Sequence, residues 1–306
     1  HRDLHSFPTR RSSDLIFTWS VLNPSSKPLN PVLIQENQNI KSLELPTVLD
    51  FAGEPVPLYN FDVAEALDRE LMINTYWHSQ TMTLIKKSKR FFAVIEPILK
   101  ENGIPDDFKY IPVAESGFNN LTSPASAVGI WQFLEGTAKD YGLEVNKEID
   151  ERYHLEKSTQ AACKFLTKSN ELYKSWTMAA ASYNIGRSNL NKLIKKQKND
   201  YYYDMLLGDE TQRYVFRLLA FKLIMENPAK YGFEIEEKDY YPVIPTYSVS
   251  IDSTIQDLAQ FAIDKGINYK ILKMFNPWLR DNYISNKKKK TYHLTLPVKG
   301  YRNLDY

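Results

Sequence analysis

One carboxylate, Glu115, stands in a setting that suits acid catalysis. It ends the apolar run "YIPVA" (110–114) and is followed by "SGF" (116–118). Burial against apolar groups disfavours the charged form of a carboxyl group and raises its pKa, so the group keeps its proton near neutral pH. Such a Glu could act as a general acid on a glycosidic oxygen. The stretch alone also fits a solvated charge at a helix end, so both interpretations stay open at this point.

A polar residue that could meet a substrate follows in "GIWQF" (129–133). The Gln132 amide both donates and accepts hydrogen bonds, which suits a sugar hydroxyl or acetamido group. Gly129 permits close approach of a ligand or of another backbone segment. Trp131 could line a sugar site, but its size favours a place in the core.

A second polar pair, Tyr183 and Asn184, ends the small-residue segment "AAASYNIG" (179–186). Small side chains let a helix pack closely, and a turn at Gly186 would present the pair to a cleft. Taken alone, the pair fits helix capping as well as ligand binding.

The elements that must position these residues are mostly helical. Residues 59–230 are predicted to form one domain that is mostly helical, because helical patterns dominate there and long stretches lack Gly and Pro. A break or kink is expected at Pro97. The predicted helical segments are 61–71, 76–103, 129–142, 155–173, 176–184, 187–197 and 209–228.

A small module with the order βααβ is predicted over 240–306. Its strands are "TYSVSI" (246–251) and "TYHLTLP" (291–297), and a helix between them is expected to begin at a Ser cap, Ser253, and to end at Gly266. "YKILKMFN" predicts the second helix of the module, stopped by Pro277. The fold class predicted for the chain is therefore mainly α with a small βααβ module.

The N-terminal part is predicted to lie outside the folded domain. Residues 16–58 are rich in proline and form an extended leader. The stretch "HSFPTRRSSDL" (5–15) resembles the translation of a sequencing-library adapter, so 1–15 are expected to be non-native. A native secretion signal is expected to be missing for the same reason.

Composition excludes several classes of function. There are 39 basic and 37 acidic residues, a balance that gives no reason to expect a nucleic-acid partner. Cys163 is the only cysteine, so no intramolecular disulfide and no cysteine-based zinc site is possible. The five histidines show no ligand spacing, and no cofactor is expected. No apolar run is long enough to predict a membrane span.

Five ordered motifs resemble those of the bacterial lytic transglycosylases with a soluble-transglycosylase-like catalytic domain, and "GIWQ" makes the chain most similar to the membrane-bound lytic transglycosylase D type. The motifs are "ES" (115–116), "SPASAVGIWQF" (123–133), "GTAKDYGL" (136–143), "SYNIG" (182–186) and "ETQRYV" (210–215). The resemblance implies a lysozyme-like fold and cleavage of the β-1,4 bond between N-acetylmuramic acid and N-acetylglucosamine. It also implies a periplasmic or cell-envelope location and peptidoglycan strands as the partner; the oligomeric state stays open.

The resemblance implies a role for each matched residue. Glu115 corresponds to the single acid/base. The substrate-binding positions are Ser116, Ser123, Gln132, Tyr183, Asn184 and Tyr214.

Cleavage without water is the mechanism that one acid/base implies, giving 1,6-anhydromuramyl products. Other carboxylates, including Asp106, Asp107, Glu135 and Asp140, correspond to no second catalytic position in the resemblance. A lysozyme-like hydrolase and an inactive glycan-binding scaffold are the alternatives.

The C-terminal module resembles a LysM domain, a glycan-binding βααβ fold. The matching positions are Asp252, Thr254, Ile255, Leu258, Ala259, Leu272, Asn276, Pro277 and Pro297. This resemblance implies binding of N-acetylglucosamine-containing glycans, although such a module could also serve only to pack on the catalytic domain.

Overall fold

The computed structural model describes residues 40–302, so the predictions for 1–15 and for 16–39 lie outside the described residues. Within this range the chain forms ten α-helices, a few 3-10 turns and two small antiparallel sheets. The helices are α1 (Phe61–Tyr76), α2 (His78–Glu101), α3 (Ile111–Ser116), α4 (Glu135–Asp140), α5 (Leu155–Tyr173), α6 (Trp176–Ile185), α7 (Arg187–Gln197), α8 (Asp209–Glu226), α9 (Leu258–Asp264) and α10 (Tyr269–Phe275). The prediction of a mainly helical fold with a small βααβ module is confirmed.

The first sheet pairs β1 (Asp50–Phe51) with β2 (Glu54–Pro55). Phe51 is almost fully buried, and its ring lies edge-on to Phe108 with centroids 5.4 Å apart. Leu49, Phe51 and Val56 all belong to the core, so the last part of the predicted leader over 16–58 packs against the helices.

The main hydrophobic core lies among α1, α2, α5, α6 and α8. The helix α2 continues through Pro97, where a break or kink was expected. The helix α6 buries three consecutive alanines, 179–181, whose small side chains let it lie close to α5 and α8. Ser175 caps α6 by accepting a hydrogen bond from the Met178 backbone N–H.

Residues 129–134 are not helical, contrary to the prediction of a helix over 129–142. Gly129 and Gln132 have φ angles of +81° and +51°, in the left-handed region that a right-handed helix excludes. The backbones of Val128 and Phe133 instead pair with each other in both directions, at 3.1 and 3.2 Å. Only α4 remains of the expected helix.

The C-terminal module pairs β3 (Thr246–Ile251) with β4 (Tyr292–Pro297) and carries α9 and α10 between them. Asp257, not Ser253, caps α9, because its carboxylate accepts from the backbone N–H groups of Ala259 and Gln260. The buried Asn276 side chain joins the end of α10 to β4 through the backbone of Thr295.

The module has its own hydrophobic cluster, which also contains Val128, Ile149 and Tyr153 from the helical part of the chain. The two parts therefore share buried apolar surface.

Candidate active site

A cleft of about 320 Å³ contains most of the residues singled out in the sequence. Its lining includes Glu115, Ser123, Gln132, Tyr183 and Asn184, which come from three separate parts of the chain. Among residues 40–302, Glu115 is the only carboxylate in this lining. The cleft therefore places one acid among neutral hydrogen-bonding groups.

Glu115 lies near the end of α3, a short helix with a largely apolar, buried first turn. Pro112 in that first turn suits a helix start because its missing N–H needs no partner there. Gly117, with φ of +56°, ends the helix in the left-handed conformation. The half-buried Glu115 is thus held at a helix end beside the cleft.

The environment of Glu115 favours its protonated form. Burial raises the pKa of this carboxyl group from an ordinary 4.5 to about 7, despite opposing contributions from Tyr214 and Arg217. The negative charge of Glu210 raises it further. Glu210 itself lies outside the cleft lining and accepts a 2.9 Å hydrogen bond from Arg217.

Tyr214 holds Glu115 from the core side. Its hydroxyl donates a 2.7 Å hydrogen bond to Glu115 Oε1, and its side chain is buried. Burial raises the pKa of this phenol well above 10, so it remains a donor. Tyr214, predicted to contact substrate, thus contacts the acid and is not among the residues that line the cleft.

Ser116 is also turned away from the cleft. Its buried hydroxyl donates to the backbone carbonyls of Ile130 and Pro112, at 2.8 and 3.1 Å. A side chain in this position ties α3 to the "GIWQ" segment. Ser116, predicted to bind substrate, is therefore not among the residues that line this cleft.

Gln132 presents its amide to the cleft from a strained backbone position. Its Nε2 donates to the carbonyls of Gly129 and Leu121, at 2.7 and 3.2 Å. Because both amide protons are directed at the protein, Oε1 is the atom that can accept from a ligand. Ser123 is similarly fixed, since its hydroxyl accepts from the Ala127 backbone N–H at 3.0 Å.

Tyr183 and Asn184 line the cleft from the end of α6. The Tyr183 hydroxyl donates to the Trp131 carbonyl at 2.7 Å, which joins α6 to the "GIWQ" segment. Asn184 Oδ1 accepts a 2.7 Å hydrogen bond from Thr211. That bond fixes the amide so that its Nδ2 group is the free donor.

Comparison with known proteins identifies the domain that carries this cleft. Residues 92–206 match the family described as "Transglycosylase SLT domain", and residues 247–300 match "Soluble lytic transglycosylase C-terminal LysM-like domain". Residues 92–206 are thus similar to transglycosylase SLT domains. Every cleft residue named above lies within the matched range of this domain.

Two curated relatives are similar to the chain over a longer stretch. Membrane-bound lytic murein transglycosylase D of Escherichia coli K12 and that of Escherichia coli O6:H1 are each 28% identical to it over 223 residues. This covers 71% of the chain and 48% of each relative, so the chain spans about half the length of these relatives. The predicted resemblance to lytic transglycosylases of this type, with a LysM-like module, is confirmed.

The glycine of the "GIWQ" segment, Gly129, leaves no room for a larger residue. A Cβ atom at Gly129 would lie 2.1 Å from the carbonyl oxygen of Arg152, a distance that real Cβ atoms do not reach. The close approach that the sequence allowed at Gly129 is thus made by another backbone segment and not by a ligand.

Sequence reasoning missed Thr211 and the apolar part of the cleft lining. Thr211 stands within "ETQRYV" (210–215), but only Tyr214 was taken from that motif. Phe165 and Thr137 also line the cleft, from α5 and α4. Phe165 lies on an apolar stripe with helical spacing, which predicts a core position. Such a stripe does not distinguish a core residue from one that lines a cleft.

None of the helices between residues 40 and 302 is long and apolar enough to cross a membrane.

Proposed function

We propose that this chain is a peptidoglycan lytic transglycosylase in which Glu115 is the single acid/base. The observation that carries the proposal is the half-buried Glu115, with its pKa raised to about 7, as the one carboxylate lining the cleft among the described residues. The SLT match and the name of the Escherichia coli relatives support the substrate class.

The proposed reaction cleaves the β-1,4 bond between N-acetylmuramic acid and N-acetylglucosamine. Protonated Glu115 gives its proton to the glycosidic oxygen as the bond from that oxygen to the muramyl C1 breaks. The neighbouring acetamido group supports the positive charge that develops at C1. The carboxylate of Glu115 then takes the proton of the C6 hydroxyl, whose oxygen bonds to C1 and closes a 1,6-anhydro ring.

Glu115 ends this cycle protonated, and no water is consumed. A residue that acts first as acid and then as base works best with a pKa near the working pH. The Tyr214 hydrogen bond supports the first half of the reaction, because it stabilises the carboxylate that forms when Glu115 gives up its proton.

The neutral cleft residues would hold the sugars. Gln132 Oε1 can accept from a hydroxyl or an acetamido N–H, and Asn184 Nδ2 can donate to a carbonyl or hydroxyl oxygen. Ser123 would supply a further hydroxyl near the acid. These contacts orient the muramyl residue so that its C6 hydroxyl reaches C1.

A lysozyme-like hydrolase is the alternative on the same fold. Such enzymes use a second carboxylate roughly 5 to 10 Å from the first, as nucleophile or as base for water. Three of the carboxylates considered in the sequence are engaged elsewhere: Asp107 accepts from Lys222, Asp106 from Lys109, and Glu135 from Lys139.

Digestion of purified peptidoglycan sacculi by the full chain tests the proposal. We expect soluble muropeptides with anhydromuramyl ends in the mass spectrum. Reducing-end muropeptides would favour the hydrolase. Absence of any soluble product from wild-type protein would favour an inactive glycan-binding scaffold.

We also propose that residues 59–230 form the catalytic domain, that 240–306 form a glycan-binding module, and that the protein works in the periplasm or cell envelope. The exposed Asp252 is one of the positions that match LysM domains. In a Glu115→Gln background, Asp252→Ala should weaken sedimentation of the full chain with insoluble peptidoglycan. Unchanged sedimentation would mean that the module only packs on the catalytic domain.

A further inference from the structure

One wall of the cleft, residues 121–134, is a loop with little regular structure of its own. It contains Ser123 and Gln132 and is closed by backbone pairing of Thr122 with Val128 and of Val128 with Phe133. A loop of this kind needs support from outside if it is to hold two ligand-binding side chains in fixed positions. The support comes from behind the cleft.

The back of this wall is packed against the C-terminal module. Val128 is buried within the module's hydrophobic cluster, together with Leu279 and Trp278. Thr122 lies 3.3 Å, hydroxyl to hydroxyl, from Tyr153, and the Arg280 guanidinium of the module stacks 4.1 Å from the Tyr153 ring centre.

Arg152 stabilises the same wall of the cleft through hydrogen bonds to its backbone. Its buried guanidinium donates to the carbonyls of Phe133 and Ser126, at 3.3 and 3.4 Å. Its own backbone carbonyl fills the space beside Gly129 where a Cβ would lie. One residue therefore contacts the wall at three points, two of them next to cleft-lining residues.

Asp150 connects Arg152 to the module. Its carboxylate accepts two hydrogen bonds from the Arg152 guanidinium, from Nε at 2.9 Å and from Nη2 at 2.7 Å. The Asp150 backbone N–H donates to the carbonyl of Trp278 in the module at 2.9 Å. A planar, bidentate pair of this kind fixes the orientation of the guanidinium and also pairs its charge.

Neighbouring backbone contacts extend this junction. The Arg280 N–H donates to the Glu148 carbonyl at 2.7 Å, and the Glu148 carboxylate accepts from the backbone and the hydroxyl of Ser285. The segment 144–154 is thus held by the module on one side and holds the cleft wall on the other.

We propose that Arg152 is a positioning residue for the cleft wall at 121–134, and that the C-terminal module holds Arg152 in place through Asp150 and the shared apolar cluster. The module then has a second role besides any glycan binding, because it sets the geometry of the sugar-binding wall. Glu115 and Tyr214 lie on α3 and α8, outside this set of contacts.

Hydrogen exchange in the full chain tests this coupling without any need for activity. Arg152→Lys keeps the charge beside Asp150 but loses the forked donors, and Leu279→Ala removes packing from the module side alone. We expect both variants to speed amide exchange in 121–134 by about ten-fold, with exchange in 209–226 unchanged. Lys147→Ala is the matched control, since Lys147 pairs with Asp281 at the same junction but is exposed.

Kinetics supply the second readout, which rests on the proposed function. Both variants should raise KM for glycan strands about ten-fold with a smaller change in kcat, and the pH dependence should stay at its wild-type position. If exchange in 121–134 is unchanged, or rises equally throughout the chain, the proposal is wrong. If exchange responds as expected but wild-type protein cleaves no peptidoglycan, the coupling stands and the proposed function fails.

Discussion

The Tyr214 hydroxyl donates a 2.7 Å hydrogen bond to Glu115 Oε1, from a fully buried position on α8. The bond favours the carboxylate, whereas burial of Glu115 favours the protonated acid. Burial prevails, and the pKa of Glu115 rises to about 7. The two opposing effects place the acid where it can both give and take a proton near neutral pH.

Replacing Tyr214 by Phe should move the pH dependence of activity upward. The hydroxyl lowers the pKa of Glu115, so its loss raises that pKa and keeps the acid protonated to higher pH. The alkaline limb of kcat/KM should therefore shift to higher pH, with a lower maximal kcat because the carboxylate loses its donor. A pH–rate series from 5 to about 9 measures this.

Tyr202→Phe is the matched control for that series. Tyr202 is equally buried, but its hydroxyl donates to the carbonyls of Thr211 and Gln212, not to the acid. We expect this variant to be less stable than wild type. The alkaline limb of its kcat/KM profile should stay at the wild-type pH. A limb that moves equally in both variants, or in neither, would contradict the role of Tyr214.

Glu115→Gln should abolish activity and stabilise the fold. The folded-state pKa of Glu115 lies above its unfolded value, so the folded protein binds the proton more tightly. Stability then falls as pH rises from about 4.5 to about 7, because ionisation becomes increasingly costly in the fold. The neutral amide removes this cost, and the gain at pH 8 should be about 3 kcal/mol.

Thermal or urea unfolding at pH 5 and pH 8 measures the effect. The difference between the variant and wild type should grow with pH. Glu135→Gln serves as the control, since this exposed residue pairs with Lys139 outside the cleft and should retain full activity. Substantial turnover by Glu115→Gln would refute its assignment as the acid/base.

Gly129→Ala should destabilise the SLT domain strongly. The new Cβ would lie 2.1 Å from the Arg152 carbonyl oxygen, and φ of +81° is unfavourable for Ala. Backbone strain and overpacking together should cost about 3 kcal/mol or more. Urea unfolding monitored by tryptophan fluorescence gives the difference directly.

Gly136→Ala provides the comparison within the same motif region. Gly136 lies inside α4, and apart from its chain neighbours and the backbone of its own helix no described atom lies within 4 Å of the place that its Cβ would take. Alanine should stabilise the helix by about 0.5 to 1 kcal/mol. Equal effects of the two substitutions would contradict the steric account of Gly129.

The acid and most of its neutral partners could be predicted from the sequence because each stands in a short local motif. Glu115, Gln132, Tyr183 and Asn184 do meet around one cleft. Tyr214 and Ser116 were placed in the same group, but their side chains turn into the core. A place in a motif does not show whether a residue contacts the ligand or holds another residue that does.

The loop 129–134 was predicted to be helical as the first part of the segment 129–142. The left-handed conformations of Gly129 and Gln132 interrupt the helix, and periodicity cannot show which groups from other parts of the chain pack beside them. One of these is the carbonyl of Arg152, which reaches Gly129 only once the chain is folded. The same holds for Thr211, whose contact with Asn184 joins α8 to α6.

The fate of water in the reaction tests the central claim most directly. Sacculi are digested by the full chain in water enriched with oxygen-18, and the released muropeptides are analysed by mass spectrometry. Ring closure by Glu115 predicts anhydromuramyl ends, lighter than hydrolysed ends by one water molecule and free of the isotope. Reducing-end products that carry oxygen-18 at C1 would show hydrolysis and contradict the proposed mechanism.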